Sequence, residues 1–512
     1  MASHEKILEL ERLAELLATA REQGRKVVHC HGVYDLIHIG HIKHLEAAKR
    51  LGDVLVVTIT QDQHVNKGPL RPAFTQRLRA EALAALGCVD YVAVNRWPTA
   101  VETIQLLRPN LYVKGTVPAT EKQSGPRDHS DGFDREAEAI KSVGGELVLT
   151  QEETYSSSTL INRYMDLLPE ESKLFVDKLR KDCSSEQVIA HLQGLKQAKV
   201  LCIGETIVDE YQFCSTMGKA NKDPVLAARF LRSAKYAGGI LAVANHAANF
   251  AGRVTLLSML GEEDSHEEFV RGKLNPEIEV HFMRKPDSPT IVKRRFLEDY
   301  MAVKLFEVYI MRNERLMPDE ERAFLAKLED LLPRHDVVVV ADYGHGLMTP
   351  KVIEYLCAHA KFLAVNAQAN AGNRGFNFIS KYPRADYACI DEPEARFEMR
   401  DRDAEPEELV RAIAQKMRCP RFMLTMGKKG SLCYDERQGI ERIPVFGAKL
   451  VDRIGAGDAV LAITSPCVAQ GLPARLTGFI GNVVGAEACA IMGNERAVSA
   501  SQVFRHISHL LK

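Results

Sequence analysis

Short, largely apolar and β-branched runs recur along this chain in two series. Each run is bounded by Gly, Asp, Asn or Pro and followed by a stretch patterned as a helix. The first series is KVVHCHG, VLVVTIT, YVAVN, LYVKG and ELVLT; the second is KVLCIG, VTLLSML, VVVVAD, FLAVNA, YACID and RFMLTM. Runs of this kind are buried on both faces, and alternation with helices makes them parallel sheets covered by helices. Between the series, residues 162–198 are charged and helix-patterned with no strand candidate. The expected class is therefore α/β, with a Rossmann-like domain over residues 1–165, a helical linker over 166–197 and a second α/β domain over 198–512. Residues 5–23 repeat Leu and Ile at helical spacing, which predicts an amphipathic helix leading into the first domain. The two halves share no evident repeat.

The 512 residues exceed one ordinary domain, and 46% apolar with 26% charged residues is the composition of a soluble globular chain with ample core. A formal net charge of −1 without a long basic run argues against a nucleic-acid partner. The eleven cysteines, from Cys30 to Cys489, contain no C-x-x-C pair, so reduced thiols are expected in place of a disulfide framework or zinc cluster. The charged N-terminus lacks a signal-peptide core and no run is long enough to span a bilayer; a cytoplasmic protein without a membrane partner is expected.

Two glycine turns, each at the start of a helix-patterned stretch, carry the chemistry. In KVVHCHGVYDLIHIGHIKHLEAAKR, His38 and His41 fall on one helix face where the helix should begin. A helix N-terminus presents unsatisfied N–H groups and positive dipole, so imidazoles there suit a phosphate whose charge grows at the α-phosphorus. Gly40 keeps a side chain out of that space. Taken alone, H-x-x-H is as well read as two surface histidines. In VDRIGAGDAVLAITSP, the backbone of Gly455, Ala456 and Gly457 would line an anion hole. Asp458 stands one position on, placed to take a proton from a hydroxyl; a plain capping turn is the bland alternative.

The context of the first turn resembles the cytidylyltransferase-like nucleotidyltransferases, whose G-x-F-D-x-x-H-x-G-H signature is fitted by Gly32, Asp35, His38, Gly40 and His41, with Tyr34 for the usual Phe. RPAFTQR then supplies Arg71 and Arg77, RPNLYVKG ends on Lys114, and YSSSTLIN places Ser157, Ser158 and Thr159 at a helix start. The resemblance implies that these groups hold triphosphate and leaving pyrophosphate. A helix-start SSST is also a common N-cap. HIGH occurs in class I aminoacyl-tRNA synthetases too, but no K-M-S-K-S-like loop is present.

Residues 199–512 resemble the ribokinase family of carbohydrate kinases. GETIVDEY puts Asp209 at the sugar-binding acid and YAGG supplies Gly238 and Gly239. DEPE carries Glu394, which the family links to magnesium; LTMGKKGS places Gly427 on the nucleotide side; Asp458 is the base. Residues 211–237 occupy the region of a small β lid and dimer contact in this family, which implies a homodimer. Departures stand at Ala242, Ile454, His345, Asp391 and Asn366-Ala367-Gln368. No Walker-type loop is present.

The whole chain thus resembles the bifunctional heptose-7-phosphate kinase/heptose-1-phosphate adenylyltransferases with the domain order reversed. The resemblance implies a sugar kinase using ATP and Mg²⁺ and a transferase using ATP or CTP, which together make an ADP-heptose-like sugar for lipopolysaccharide or another surface polysaccharide. An active transferase with a degenerate kinase domain, kept for dimerisation or sugar sensing, is the alternative.

Overall fold

The computed structural model describes residues 3–65, 72–115, 128–150, 168–300, 303–447 and 450–511. Two compact units divide the chain, Met1–Pro169 and Glu170–Lys512.

The first unit is built on β1 (Val27–Gly32), β2 (Val54–Thr60), β3 (Tyr91–Asn95), β4 (Leu111–Gly115) and β5 (Glu146–Thr150), in the order β3-β2-β1-β4-β5. Every pairing is parallel. Helices α1 (Leu10–Glu22), α2 (Ile39–Lys49), α3 (Gln76–Ala84), α4 (Val101–Leu107) and α5 (Asp128–Ser142) connect or flank the strands. One core layer joins Val28, Cys30, Leu55 and Val57 to Leu45, Ala48, Ala80 and Leu83 of α2 and α3. A second sets Leu10, Leu13 and Leu17 of α1 against Val27, Val54 and Val56. Consecutive strand residues thus serve opposite layers, which is why these runs are apolar throughout. The chain runs outward from β1 to β2 and β3, then returns to β4 on the other side. The C-terminal ends of β1 and β4 therefore form the switch point, the crevice where α/β sheets bind ligands.

The second unit holds a sheet in the order β10-β9-β6-β13-β14-β15-β16-β17-β18. Its strands are β6 (Lys199–Gly204), β9 (Arg253–Glu263), β10 (Glu279–Pro289), β13 (Val337–Asp342), β14 (Leu363–Ala367), β15 (Tyr387–Asp391), β16 (Arg421–Thr425), β17 (Ser431–Asp435) and β18 (Gly439–Ile443). All pairings are parallel except those of β17 with β16 and β18. A separate four-stranded lid has the order β12-β11-β7-β8, with β7 (Thr206–Lys219), β8 (Leu226–Gly239), β11 (Ile291–Glu298) and β12 (Val303–Ile310). The sequence marks only the β7–β8 half of the lid. β11 and β12 interleave Lys, Arg and Glu with apolar residues, because one lid face covers a polar site.

The stretch read as a linker is helical over α6 (Glu170–Asp182) and α7 (Ser185–Gly194). These helices pack within the second unit: Ser172 donates to the Val445 carbonyl (2.9 Å) and Phe175 packs against Phe446 and Phe479. The remaining helices that matter below are α8 (Ile240–Ala248), α9 (Glu392–Met399) and α10 (Ala456–Ala469).

Candidate functional site

At the switch point of the first unit, β1 ends on Gly32 and α2 begins after His38. Tyr34 adopts a left-handed backbone (φ 48°) that turns the chain, and its ring lies 3.0 Å from where a Cβ on Gly32 would sit. His38 is the N-cap: its Nδ1 accepts from the Gly40 N–H at 3.2 Å. A nitrogen that accepts cannot carry the proton, so Nε2 is the protonated nitrogen of the neutral ring and a donor. The His38 and His41 rings stack at 4.0 Å, and Tyr34 meets His41 edge-on at 5.2 Å. Two imidazoles, a tyrosine and a helix N-terminus therefore share one spot, as the spacing predicts.

Asp35 is buried and accepts from the Phe74 N–H at 3.1 Å, tying this loop to the turn before α3. Lys114 ends β4 beside β1 and is ion-paired with Glu136 of α5. His31 feels its charge: burial first, and Lys114 second, hold that imidazole down at about 4, so it is neutral and bonded to Thr58 (2.9 Å). The Arg77 side chain is 85% exposed and paired with Glu81 at 2.9 Å. Ser157, Ser158 and Thr159, with Arg71, lie outside the described residues.

Sequence reasoning misses Arg79. Its side chain is wholly buried and donates to the carbonyls of Phe74 (3.0 Å), Val33 (2.5 Å) and Thr60 (2.8 Å) and to Asp62 (2.6 Å). One guanidinium thus pins the loop after β1, the end of β2 and the start of α3, using its fixed fork of donors. The signal was a cation four residues before Leu83, on the helix face that also buries Ala80 and Ala84.

In the second unit the switch lies between β6 and β13. α10 starts at Gly455, whose φ of 82° is left-handed and whose absent side chain admits Asn494. Gly457 faces open space, the room a ligand needs against N–H groups at a helix start. Asp458 accepts from the Tyr343 hydroxyl at 2.7 Å. Burial, with the charge of Asp209 adding to it against that hydrogen bond, raises its carboxyl to about 6. That value lies where a carboxylate is both ionised at neutral pH and basic enough to accept a proton.

Asp209 of β7 is buried and ion-paired with Arg295 of β11. Gly238 leaves no room for a side chain because Asp209 fills that volume, and Gly239 (φ 57°) caps α8. Lys293, two residues before Arg295 and so on the same lid face, is buried with its ammonium 5.5 Å from the Tyr343 ring. Burial lowers its pKa, with Asp209 the leading opposing charge. Glu205, between β6 and β7, accepts from the backbone N–H groups of Tyr343 and His345, both at 3.0 Å. Burial and the neighbouring Asp342 raise it to about 7. Glu205 thereby fixes the turn that aims Tyr343 at Asp458. Lys293, Arg295, Tyr343 and Glu205 were not singled out from sequence; the run of three cations flanked by apolar residues in IVKRRFLE was the available sign.

Glu394 and Asp391 form a reciprocal capping box at the start of α9, and Glu394 also accepts from Ala369 N–H at 3.1 Å. Burial and the Asp391 charge raise Glu394 to about 8. These carboxylates lie at the C-terminal end of β15, and Gly427 (φ 56°) follows its neighbour β16, on the sheet edge where β13 leads to Tyr343. Two repelling carboxylates at this edge are what a hydrated cation would relieve. His345 is buried, and its Nδ1 meets Asn313 Oδ1 at 3.0 Å, while the Asn313 amide nitrogen donates to Gly372 O. That orientation makes Nδ1 the donor and leaves Nε2 as an acceptor. Burial holds the ring down at about 3, so it is uncharged.

Residues 197–498 match the family model for pfkB family carbohydrate kinases, more than half of the chain, and residues 29–164 match that for cytidylyltransferase-like proteins. A protein named bifunctional protein HldE from Syntrophotalea carbinolica is 37% identical over 158 residues, 30% of this chain and 30% of that protein. Its namesake from Trichlorobacter lovleyi is 44% identical over 115 residues, 22% and 23% of the two chains. The chain therefore matches less than a third of the length of these curated relatives. Phosphofructokinase-2 from Escherichia coli, crystallised in complex with substrates and products, superimposes with a TM-score of 0.50 at 14% identity, covering 62% of this chain and 100% of that one. At that identity the likeness is one of fold.

Proposed function

The chain belongs to the pfkB family of carbohydrate kinases, and on that footing we propose a two-site enzyme that first phosphorylates a sugar and then links a sugar 1-phosphate to a nucleotide. The observation that carries the proposal is the pairing of Asp458 with an open glycine-lined helix start in one unit and of His38 with His41 at a helix start in the other. In the kinase site, Asp209 and Gly238 bind the sugar and Asp458 takes the proton from its anomeric hydroxyl. The amides of Gly455, Ala456 and Gly457 hold the moving phosphoryl group. ATP lies along the edge that carries Gly427, and Mg²⁺, bound chiefly by phosphates, is reached by Glu394 through water.

In the transferase site, Nε2–H of His38 and the His41 ring stabilise the charge that builds as a sugar 1-phosphate attacks the α-phosphorus of ATP or CTP. Lys114 neutralises the departing pyrophosphate, and Gly32, Asp35 and Gly40 shape the loop. Ser157, Ser158, Thr159 and Arg77 are proposed as further phosphate ligands; Arg77 reaches the site only by leaving Glu81. The product is an NDP-sugar of ADP-heptose type for surface polysaccharide. Eleven free cysteines fit the cytoplasm. A homodimer is supported by apolar residues left exposed on the lid, among them Phe230, Leu231, Val303 and Phe306.

The neutral His345 bears on the sugar. Where heptose kinases carry lysine, this chain offers an acceptor, which favours a sugar hydroxyl over a phosphate at that point. Phosphorus NMR of the protein with ATP, magnesium and a panel of sugars and sugar phosphates tests the proposal. A new anomeric phosphate and, with sugar 1-phosphates, pyrophosphate are expected; the absence of both signals across the panel would refute it.

A further inference from the structure

Asp452 lies three residues before Gly455, outside every role assigned above. Its side chain is almost wholly buried and receives four donors from four parts of the unit. Oδ2 accepts from the Tyr211 hydroxyl of β7 at 2.6 Å and from the Gly493 N–H at 3.2 Å. Oδ1 accepts from the Ile454 N–H at 3.2 Å and from the Lys304 ammonium of β12 at 3.1 Å. The backbone N–H groups of Val451 and Asp452 are themselves held by the Cys489 carbonyl. Asn494, the residue after Gly493, fills the space that glycine leaves open at Gly455. Apolar packing repeats the connection: Ile454 rests against a cluster of Tyr211, Phe213 and Leu297, all lid residues. The donors keep Asp452 ionised, its carboxyl below the ordinary range even though burial opposes this.

A buried carboxylate needs its charge compensated, and removing one partner of such a pair is costly. Among the described residues, the cation paired with Asp452 is Lys304 of the outer lid strand. Two consequences follow for the turn that Asp452 shapes. Its amides keep their aim only while the carboxylate is held, and an uncompensated negative charge next to them would repel an incoming phosphoryl group.

We propose that Lys304, Asp452 and Tyr211 form a clasp through which the β lid positions the anion-hole turn, so that seating of the lid and readiness of the hole are one event. Asp452 and Lys304 are positioning residues. The proposal rests on the reading of Gly455–Gly457 as the phosphoryl-holding turn, and its test separates the two.

The test is hydrogen–deuterium exchange of the full chain without ligand, comparing wild type with Lys304→Met, Lys304→Arg and Tyr211→Phe. In Lys304→Met, amides of residues 451–458 should exchange about tenfold faster while β13 and β14 are unchanged. Lys304→Arg, and Lys304→Met with added ammonium ion, should recover protection; tetramethylammonium at equal ionic strength, too bulky for the gap, should not. In turnover, Lys304→Met should lose about tenfold in kcat with little change in the KM for the sugar, because the sugar-binding Asp209 is untouched. Unchanged exchange over 451–458 would overturn the clasp, and so would faster exchange spread over the whole unit, which would mark a merely structural pair. If wild type shows no kinase turnover, the functional reading fails, while the exchange data still decide whether lid and turn are coupled.

Discussion

The two helix starts, α2 and α10, solve one problem with different parts. Both point N–H groups at a switch point, but α2 is capped by an imidazole that accepts from Gly40, whereas α10 is entered through a left-handed glycine with no side-chain cap. At α2 the proposed reactive donor is the cap itself, since accepting through Nδ1 makes Nε2 the protonated nitrogen of the neutral ring. At α10 the cap is only backbone, and the proposed reactive group is Asp458 in the first turn. The difference follows the chemistry. Attack by a phosphate, already an anion, requires no base but needs donors where charge accumulates; attack by a sugar hydroxyl requires a base.

Substitutions should therefore split the activities cleanly. The largest effect is expected from Asp458→Asn, which should lower sugar-dependent ADP formation by roughly 10²–10⁴-fold and leave pyrophosphate release intact. His38→Ala should do the reverse, lowering pyrophosphate release by about 10²–10³-fold with ADP formation unchanged. A loss of both activities from either change would break the comparison. Acid titration sharpens it. With Asp458 at about 6 and its ionised form the base, kinase kcat/KM should be flat above that pH and fall about tenfold per unit below it. The transferase profile should lack this limb. Arg79→Met leaves three carbonyls without their donor and Asp62 without its cation, so the first unit should lose about 3 kcal/mol in denaturant unfolding, with the second unit unaffected. Arg77→Ala tests the smallest effect, a rise of a few-fold at most in the KM for nucleotide, given its exposed pairing with Glu81.

Much of this was legible in the sequence for a physical reason. Strands buried on both faces must be apolar at successive residues, and all eleven runs surface as strands of the two main sheets, edge strand β5 with its exposed Leu149 being the least buried. Two glycine turns were legible too, because left-handed backbone and close approach demand glycine at Gly239 and Gly455. What stayed hidden lies where polar side chains are buried against partners far along the chain. Arg79 reads as a surface helix cation until its three carbonyl partners are brought together by the fold. Lys293, Arg295 and Lys304 read as the charged face of an ordinary strand. Their meaning depends on Asp209, Tyr343 and Asp452, placed by other segments. Arg77, drawn by motif to phosphate, lies on the exposed face of α3, two positions before the buried stripe that begins at Arg79.

A crystal of the full chain soaked with a non-hydrolysable triphosphate and magnesium tests two phosphate grips in one polypeptide most directly. Two nucleotides per chain are expected, one with its α-phosphate within hydrogen-bonding distance of Nε2 of His38, the other with its γ-phosphate against the amides of Gly455, Ala456 and Gly457. One nucleotide only, or imidazoles turned away from the phosphates, would contradict it.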